Sequence, residues 1–249
     1  MRLIAPLATL ASCVVLSACI KGNNPIDPYE PFNRKIHNFN MAFDATMLKP
    51  PARLYKAVVP GPIRMSINNA YNNVLMLPTV VNDLLQTEWH YAIKDSWRFL
   101  LNSSFGIGGL FDVAAKSFSL PPHYNDLGLT FAKWGDKHSP YLVMPFLGPS
   151  TIRDAMSLPF DYMFTPYFYI PSSLVITGIL GFRYVDIRSQ LLDTDPLLNE
   201  ALDKYTFIRD AYLQHRNFQI SGEQPDDGAS LYVEDNNVTH NPTPTGNPS

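Results

Sequence analysis

Apolar residues recur along this chain at helical spacing far more than in alternation. Phe32, Ile36, Phe39, Phe43 and Met47 fall three or four positions apart and predict one helical stripe. Trp89, Ile93, Trp97 and Leu100 predict a second, and Ala201, Tyr205, Ile208 and Tyr212 a third. Prolines at Pro50-Pro51, Pro60, Pro78, Pro121-Pro122, Pro159 and Pro171 each predict a break, because proline lacks the amide hydrogen and crowds the preceding turn. Tyr141 to Phe146, followed by Gly148-Pro149, is the one extended segment and predicts a small hairpin. No repeat at solenoid periods is present. The pattern predicts an all-α fold: a single domain of many short helices with a small non-helical hairpin.

The two ends carry different signals. Arg2 is followed by an apolar run from Leu3 to Leu16 and then small residues, as in a secretory signal. The run is about 14 residues, short of the roughly 20 needed to span a bilayer. Leu16-Ser17-Ala18-Cys19 resembles the bacterial lipobox, whose cysteine becomes the lipid-modified first residue, so Cys19 is the expected attachment point. Cys13 leaves with the signal, and no intramolecular disulfide is then possible. Triacylation exceeds the marginal binding of a single acyl chain and should hold the protein on a membrane. Ile20, where an Asp would favour inner-membrane retention in lipoproteins, points to the outer membrane. Residues 222–249 carry five acids, four prolines and no Lys or Arg, and are expected to be a disordered acidic tail. The expected organisation is a signal over 1–18, a linker over 19–28, a helical domain over 29–221 and the tail.

Composition narrows the medium. Charged residues make up 16% of the chain, against roughly 25% in ordinary globular proteins, while aromatics reach 12%. Of 19 basic and 22 acidic residues, setting aside Arg2 and the five tail acids leaves 18 against 17, so nothing points to nucleic acid. Fewer charges mean less surface that wants water, and beside a lipid anchor this favours a lipid-facing surface. The most apolar stretch, residues 168–182 (FYIPSSLVITGILGF), fits a buried core helix and a helix at the headgroup level equally. Arg183 and Arg188 after it would suit phosphate groups or solvent.

Candidate chemistry is sparse. His90 and Asp95 match the H-x4-D spacing of glycerolipid acyltransferases, but five helical steps leave the two side chains about 140° apart, so they should be two partly exposed polar residues. There is no G-x-S-x-G elbow, no H-E-x-x-H, and no cysteine free to act as nucleophile or zinc ligand. His37, His123, His138 and His215 stand apart from carboxylate partners at ligand spacing and read as surface or cap residues. No catalytic residue, cofactor or metal is expected. Gly106, Gly108 and Gly109 fall in Gly-Ile-Gly-Gly, which lacks both the dinucleotide fingerprint and the P-loop lysine. They are expected to cap a helix, or to let the chain turn where a Cβ would clash and helices or lipid chains come close.

Four stretches together resemble the MlaA/VacJ family of outer-membrane lipoproteins: DPYEPFNRKIHNFN (27–40), RFLLNSSFGIGGLFDVA (98–114), DLGLTFAKWGDKHSPYLVMPFLGPSTIRD (126–154) and RSQLLDTDPLLNEALDKYTFIRDAYLQHRNF (188–218). The resemblance implies a ring of helices within the inner leaflet of the outer membrane, bound to a trimeric porin and enclosing an amphipathic channel. It implies that phospholipid strayed into the outer leaflet passes to a soluble periplasmic carrier, MlaC-like, for return to the inner membrane. Phe32, Ile36, Asn38, Phe39, Asn40 and Phe43, with Gly106, Gly108 and Gly109, are the candidate ring or channel residues. Gly135 is a candidate loop hinge, although Asp136, Lys137, His138 and Ser139 replace the glycine-rich residues common in relatives and would stiffen it. Two other readings are a membrane-bound lipid acyltransferase or phospholipase, and a structural lipoprotein that supports a porin.

Overall fold

The structure is a computed structural model that describes residues 24–221. The expected signal, Cys19 and the tail therefore lie outside the described residues. Helix α1 (Glu30–Phe43) runs through a π-helical segment (Asp44–Leu48) into α2 (Lys49–Val58). Helices α3 (Gly61–Leu85) and α4 (Trp89–Ser104) form an antiparallel pair, followed by the short α5 (Val113–Phe118) and α6 (Leu127–Lys133). Strands β1 (Tyr141–Met144) and β2 (Gly148–Thr151) pair antiparallel, with Tyr141 opposite Thr151 and Met144 opposite Gly148. Then come α7 (Ile152–Met163), α8 (Ser173–Gln190), α9 (Asp195–Glu200) and α10 (Lys204–Ser221).

Local chemistry explains where the helices begin. Asp112 accepts from the Ala115 amide, Asp126 from Leu129 and Thr151 from Asp154, each satisfying a donor that the first helical turn leaves free. Prolines open α1, α2 and α3, where the missing amide costs nothing. The breaks expected at Pro78 and Pro159 do not occur: both lie inside helices, α3 and α7. Around Pro78, Asn82 Nδ2 donates to the Pro78 carbonyl at 2.9 Å and Thr79 Oγ1 to that of Leu75 at 2.9 Å. These side-chain bonds reinforce the turns on either side of Pro78, whose missing amide takes its donor from the Val74 carbonyl.

The packing closes a circuit. Helix α1 lies on β1, β1 on α7, α7 on α6, α6 on α3, α3 on α8 and α8 on α2, which returns through the π-helical segment to α1. Helix α4 packs outside α3, and α10 packs on α6 and β2. A small apolar cluster of Tyr141, Val143 and Tyr205, flanked by Ile36, Tyr212 and Leu213, holds the hairpin between α1 and α10. The N-terminal boundary of this body lies earlier than position 29. Asp27 is fully buried and accepts from Asn33 Nδ2 (2.8 Å), the Tyr205 hydroxyl (2.5 Å) and Arg209 Nη1 (3.4 Å).

Burial is inverted relative to a water-soluble domain. Among the described residues, eleven buried side chains are hydrophobic and twenty-one are polar or charged. All three tryptophans are exposed. Helix α4 shows the inversion within one element: Ala92, Asp95, Arg98 and Asn102 face inward, whereas Trp89, Ile93, Trp97 and Leu100 face outward. An apolar outer face suits lipid or a partner's apolar surface, and polar groups then gather inside, where they satisfy one another. The start of α8 behaves in the same way. Leu174 is 82% exposed, and with Val175 also exposed the apolar stretch 168–182 is no core helix.

Candidate functional site

The hairpin is held by two asparagines. Asn33 and Asn40 are seven residues apart, two turns of α1, and so share one helix face. Asn33 Oδ1 accepts from the Val143 amide at 2.9 Å, and its Nδ2 donates to the Tyr141 carbonyl at 3.2 Å. Asn40 Nδ2 donates to the Met144 carbonyl at 2.9 Å, and its Oδ1 accepts from the Phe146 amide at 2.8 Å. The two amides together do for the free edge of β1 what a third strand would do. Phe146, at a φ of 64°, packs edge-on against Phe39 and Phe43, with ring centroids 5.1 and 5.0 Å away. Phe32 and Ile36 are half-buried, and Asn38 is exposed.

Beyond the hairpin opens a cavity of about 420 Å³ with two kinds of wall. Met144, Leu147 and Leu158 are apolar, whereas Asp126, Asp154, Asp161 and Arg216 are charged or polar. Arg216 is the hub of the polar wall. Its Nη1 lies 2.7 Å from Asp126 Oδ2 and its Nη2 2.7 Å from Asp154 Oδ1, while the Tyr212 hydroxyl donates to Asp154 Oδ2 at 2.6 Å. Burial works against ionisation of Asp154, yet Arg216, Tyr212 and Arg153 outweigh it and hold the carboxyl below its ordinary range. Asp161 makes no ion pair among the described residues, and burial pushes it up to about 6, although the Asn82 amide and the Leu127 N–H donate to it and the charge of Arg216 opposes the rise. The sequence reading missed this cluster. Asp126 and Arg216 are 90 residues apart, and no local spacing links them.

A smaller cavity of about 140 Å³ lies between α3 and α4, lined by Asn68, Asn72 and Asn73 with Arg98 and Asn102. Arg183 reaches Asn68 Oδ1 at 2.6 Å, Asn72 Oδ1 at 3.0 Å and Asp186 at 3.1 Å. Arg188 pairs with Asp44 at 2.6 Å and Asp195 at 2.8 Å. Neither arginine is thus left to phosphate or solvent, as either sequence reading had it. The signal available was INNAYNN, whose asparagine pairs repeat at helical spacing opposite that future arginine.

The three glycines meet different surroundings. A Cβ on Gly106 would lie 2.2 Å from the Phe111 carbonyl oxygen, and one on Gly109, at a φ of 91°, 2.5 Å from Asn73 Cβ. Gly108, at a φ of 68°, faces open space. Gly135 sits at a φ of 127° in an exposed turn, and the loop after it is held at both ends. Arg153 Nη1 donates to the Asp136 carbonyl at 2.8 Å, and the Arg153 amide donates to Ser139 Oγ at 2.9 Å.

Three expectations about histidine and aspartate are corrected. His90 and Asp95 diverge as their spacing demands, but Asp95 is fully buried rather than partly exposed. His123 is not isolated: the connection between α5 and α6 folds back so that its Nδ1 lies 2.7 Å from Asp95 Oδ2 and 3.9 Å from Asp83 Oδ1. One ligand atom from each of these three residues lies within 4.8 Å of the others, where no metal residue was expected from the sequence. His37 is buried against the Tyr205 ring, and burial lowers its pKa.

Comparison with known proteins places this arrangement. The family model described as MlaA lipoprotein matches residues 25–219. An uncharacterised protein of Rickettsia typhi is 37% identical over 202 residues, covering 80% of this chain and 79% of its own. The intermembrane phospholipid transport system lipoprotein MlaA of Escherichia coli K12 is 32% identical over 201 residues, 79% of each chain. A solved structure concerning the structural basis for maintenance of bacterial outer membrane lipid asymmetry superposes with a TM-score of 0.69 at 31% identity, covering 78% of this chain and 98% of that one. A ring of helices closed by a two-stranded hairpin, apolar outside and polar within, is therefore the fold of a known lipoprotein group: the chain belongs to the MlaA lipoprotein family.

Proposed function

We propose that this chain conducts phospholipid from the outer membrane towards the periplasm and so maintains outer-membrane lipid asymmetry. In this reading misplaced phospholipid leaves the outer leaflet through the ring, beside a trimeric porin, and is handed to a soluble periplasmic carrier. The carrying observation is the inversion of the helices around a cavity with one apolar and one charged wall. Acyl chains fit Met144, Leu147 and Leu158, and a headgroup fits the side of Asp126 and Arg216. No described helix is long and apolar enough to cross a bilayer, which suits a ring seated in one leaflet and anchored through lipid on Cys19. Asn40, Phe39 and Phe43 set the hairpin whose Met144 and Leu147 wall the cavity, so α1 acts on the passage through the hairpin.

The test is transfer of labelled phospholipid from proteoliposomes carrying the full lipoprotein to a soluble acceptor. Transfer above protein-free vesicles is expected, with the acyl chains of the recovered lipid unchanged. Leu147→Trp, which narrows the cavity, should slow transfer without releasing the protein from the vesicles. Recovered lipid with a lost or exchanged acyl chain would turn the reading towards an enzyme. Transfer no faster than in protein-free vesicles would turn it towards a purely structural lipoprotein.

A further inference from the structure

We infer that Asp83, Asp95 and His123 form a binding site for a borderline first-row divalent cation, zinc foremost, which pins α3, α4 and the α5–α6 connection together. Asp83 and Asp95 are both fully buried, and each keeps one carboxylate oxygen, Asp83 Oδ2 and Asp95 Oδ1, without any hydrogen-bond partner. Buried carboxylate oxygens are rarely left bare, because the lost hydration has to be replaced by something. Among the described residues, His123 is the one group within ion-pair distance of either carboxylate. Arg98, one turn beyond Asp95, is committed to the Leu120 carbonyl and to Asp112. A single imidazolium cannot balance two carboxylates, whereas a dication bound to two carboxylates and a neutral imidazole leaves no net charge.

Geometry and donor chemistry agree with this. Nδ1 of His123 lies 2.7 Å from one carboxylate and 3.9 Å from the other. One ligand atom from each of the three residues lies within 4.8 Å of the other two, a small closure away from the roughly 3.4 Å between ligand atoms on a tetrahedral ion with bonds of about 2.1 Å. One imidazole with two carboxylate oxygens suits zinc above magnesium or calcium, which take oxygen ligands. Asp83 is also held in place from behind: Asn125 Nδ2 donates to Asp83 Oδ1 at 2.8 Å, and Gln86 Nε2 donates to Asn125 Oδ1 at 2.8 Å. Tyr91 stacks on the imidazole at 4.4 Å. The His123 side chain remains 27% exposed, which gives an ion a way in and a water the fourth position.

The experiment takes the full lipoprotein in detergent, strips it with chelator and titrates it with zinc chloride, reading bound metal and thermal unfolding. One equivalent per chain and a rise of several degrees in unfolding temperature are expected. His123→Ala and Asp83→Asn should each weaken zinc binding by about 100-fold or more and abolish the rise. Equal unfolding temperatures of the stripped protein with and without zinc would overturn the site and leave a carboxyl pair sharing a proton. An undiminished equivalent in His123→Ala would overturn it too, by placing the metal elsewhere. Should either variant fail to fold, X-ray absorption of the zinc-loaded wild type decides. One imidazole with oxygen ligands supports the site, and sulfur or several imidazoles reject it.

Discussion

Asn40 grips the hairpin turn from both sides, donating to the Met144 carbonyl and accepting from the Phe146 amide. Because Met144 and Leu147 wall the larger cavity, this one amide couples α1 to the shape of the passage. Asn40→Ala leaves two backbone groups without partners, and orphaning each buried group costs about 1–3 kcal/mol, less where water reaches it. Hydrogen exchange at 144–147 should accelerate, while that at Tyr141 and Val143, which Asn33 still holds, stays slow. Uniform acceleration along both strands would show that the two asparagines do not act separately.

Helix α4 offers a test of the inversion. Trp97→Asp on the exposed face should leave unfolding in detergent within a degree or two of wild type. It should weaken partitioning into vesicles by about tenfold, since a buried large apolar side chain contributes about 1.5–3 kcal/mol. Asn102→Leu on the buried face should do the opposite. It strands the Ala114 amide, which Asn102 Oδ1 satisfies at 2.9 Å, takes from Asp112 Oδ1 one of its two donors, and should lower the unfolding temperature by several degrees. Unchanged partitioning of Trp97→Asp into vesicles would show that this face does not meet lipid.

Neighbouring glycines should differ sharply. Gly108→Ala meets open space and bears only the cost of a positive φ, about 1 kcal/mol. Gly109→Ala bears that cost and drives its Cβ to 2.5 Å from Asn73 Cβ, so the turn after α4 must move away from α3. Thermal unfolding of the two variants should place Gly109→Ala well below Gly108→Ala, and equal values would mean that the contact at Asn73 yields freely.

Stability should fall with rising pH across the mildly acidic range. Burial pushes Asp161 up to about 6 from 3.8 and raises Asp83, beside Asp95, to about 6 as well. A carboxyl whose folded pKa is raised contributes stability that is fully present below its unfolded pKa and lost as pH rises through its folded one. In metal-free protein the unfolding temperature should therefore drop between about pH 4 and pH 6 on account of these groups. Asp161→Asn keeps an acceptor for Leu127 and removes the titration, so its pH profile should be flatter than wild type with the Asp83 part remaining. Parallel profiles would exclude Asp161 as a contributor.

Helical period, the hairpin at Tyr141 and the family-like stretches are local properties, and the chain order alone carries them. Phe32, Ile36, Phe39 and Phe43 lie in one helix because of their spacing, whatever surrounds it. The same spacing cannot say which medium an apolar stripe meets. Trp89, Ile93, Trp97 and Leu100 would form an identical stripe in a core, and only the packing of α4 on α3 turned Asp95, Arg98 and Asn102 inward. The turn of α3 that follows Pro78 is also tied by tertiary contacts, Asn82 donating to Asp161 at 2.8 Å and Thr79 to the Asn125 carbonyl at 3.4 Å. The polar centres were the least legible part. Arg216 finds Asp126 across 90 residues and His123 finds Asp95 across 28, and such pairs exist only once the ring has closed. A side chain's own sequence neighbourhood records its helix and its cap, whereas charge pairing depends on which distant segment the fold brings within a few ångströms.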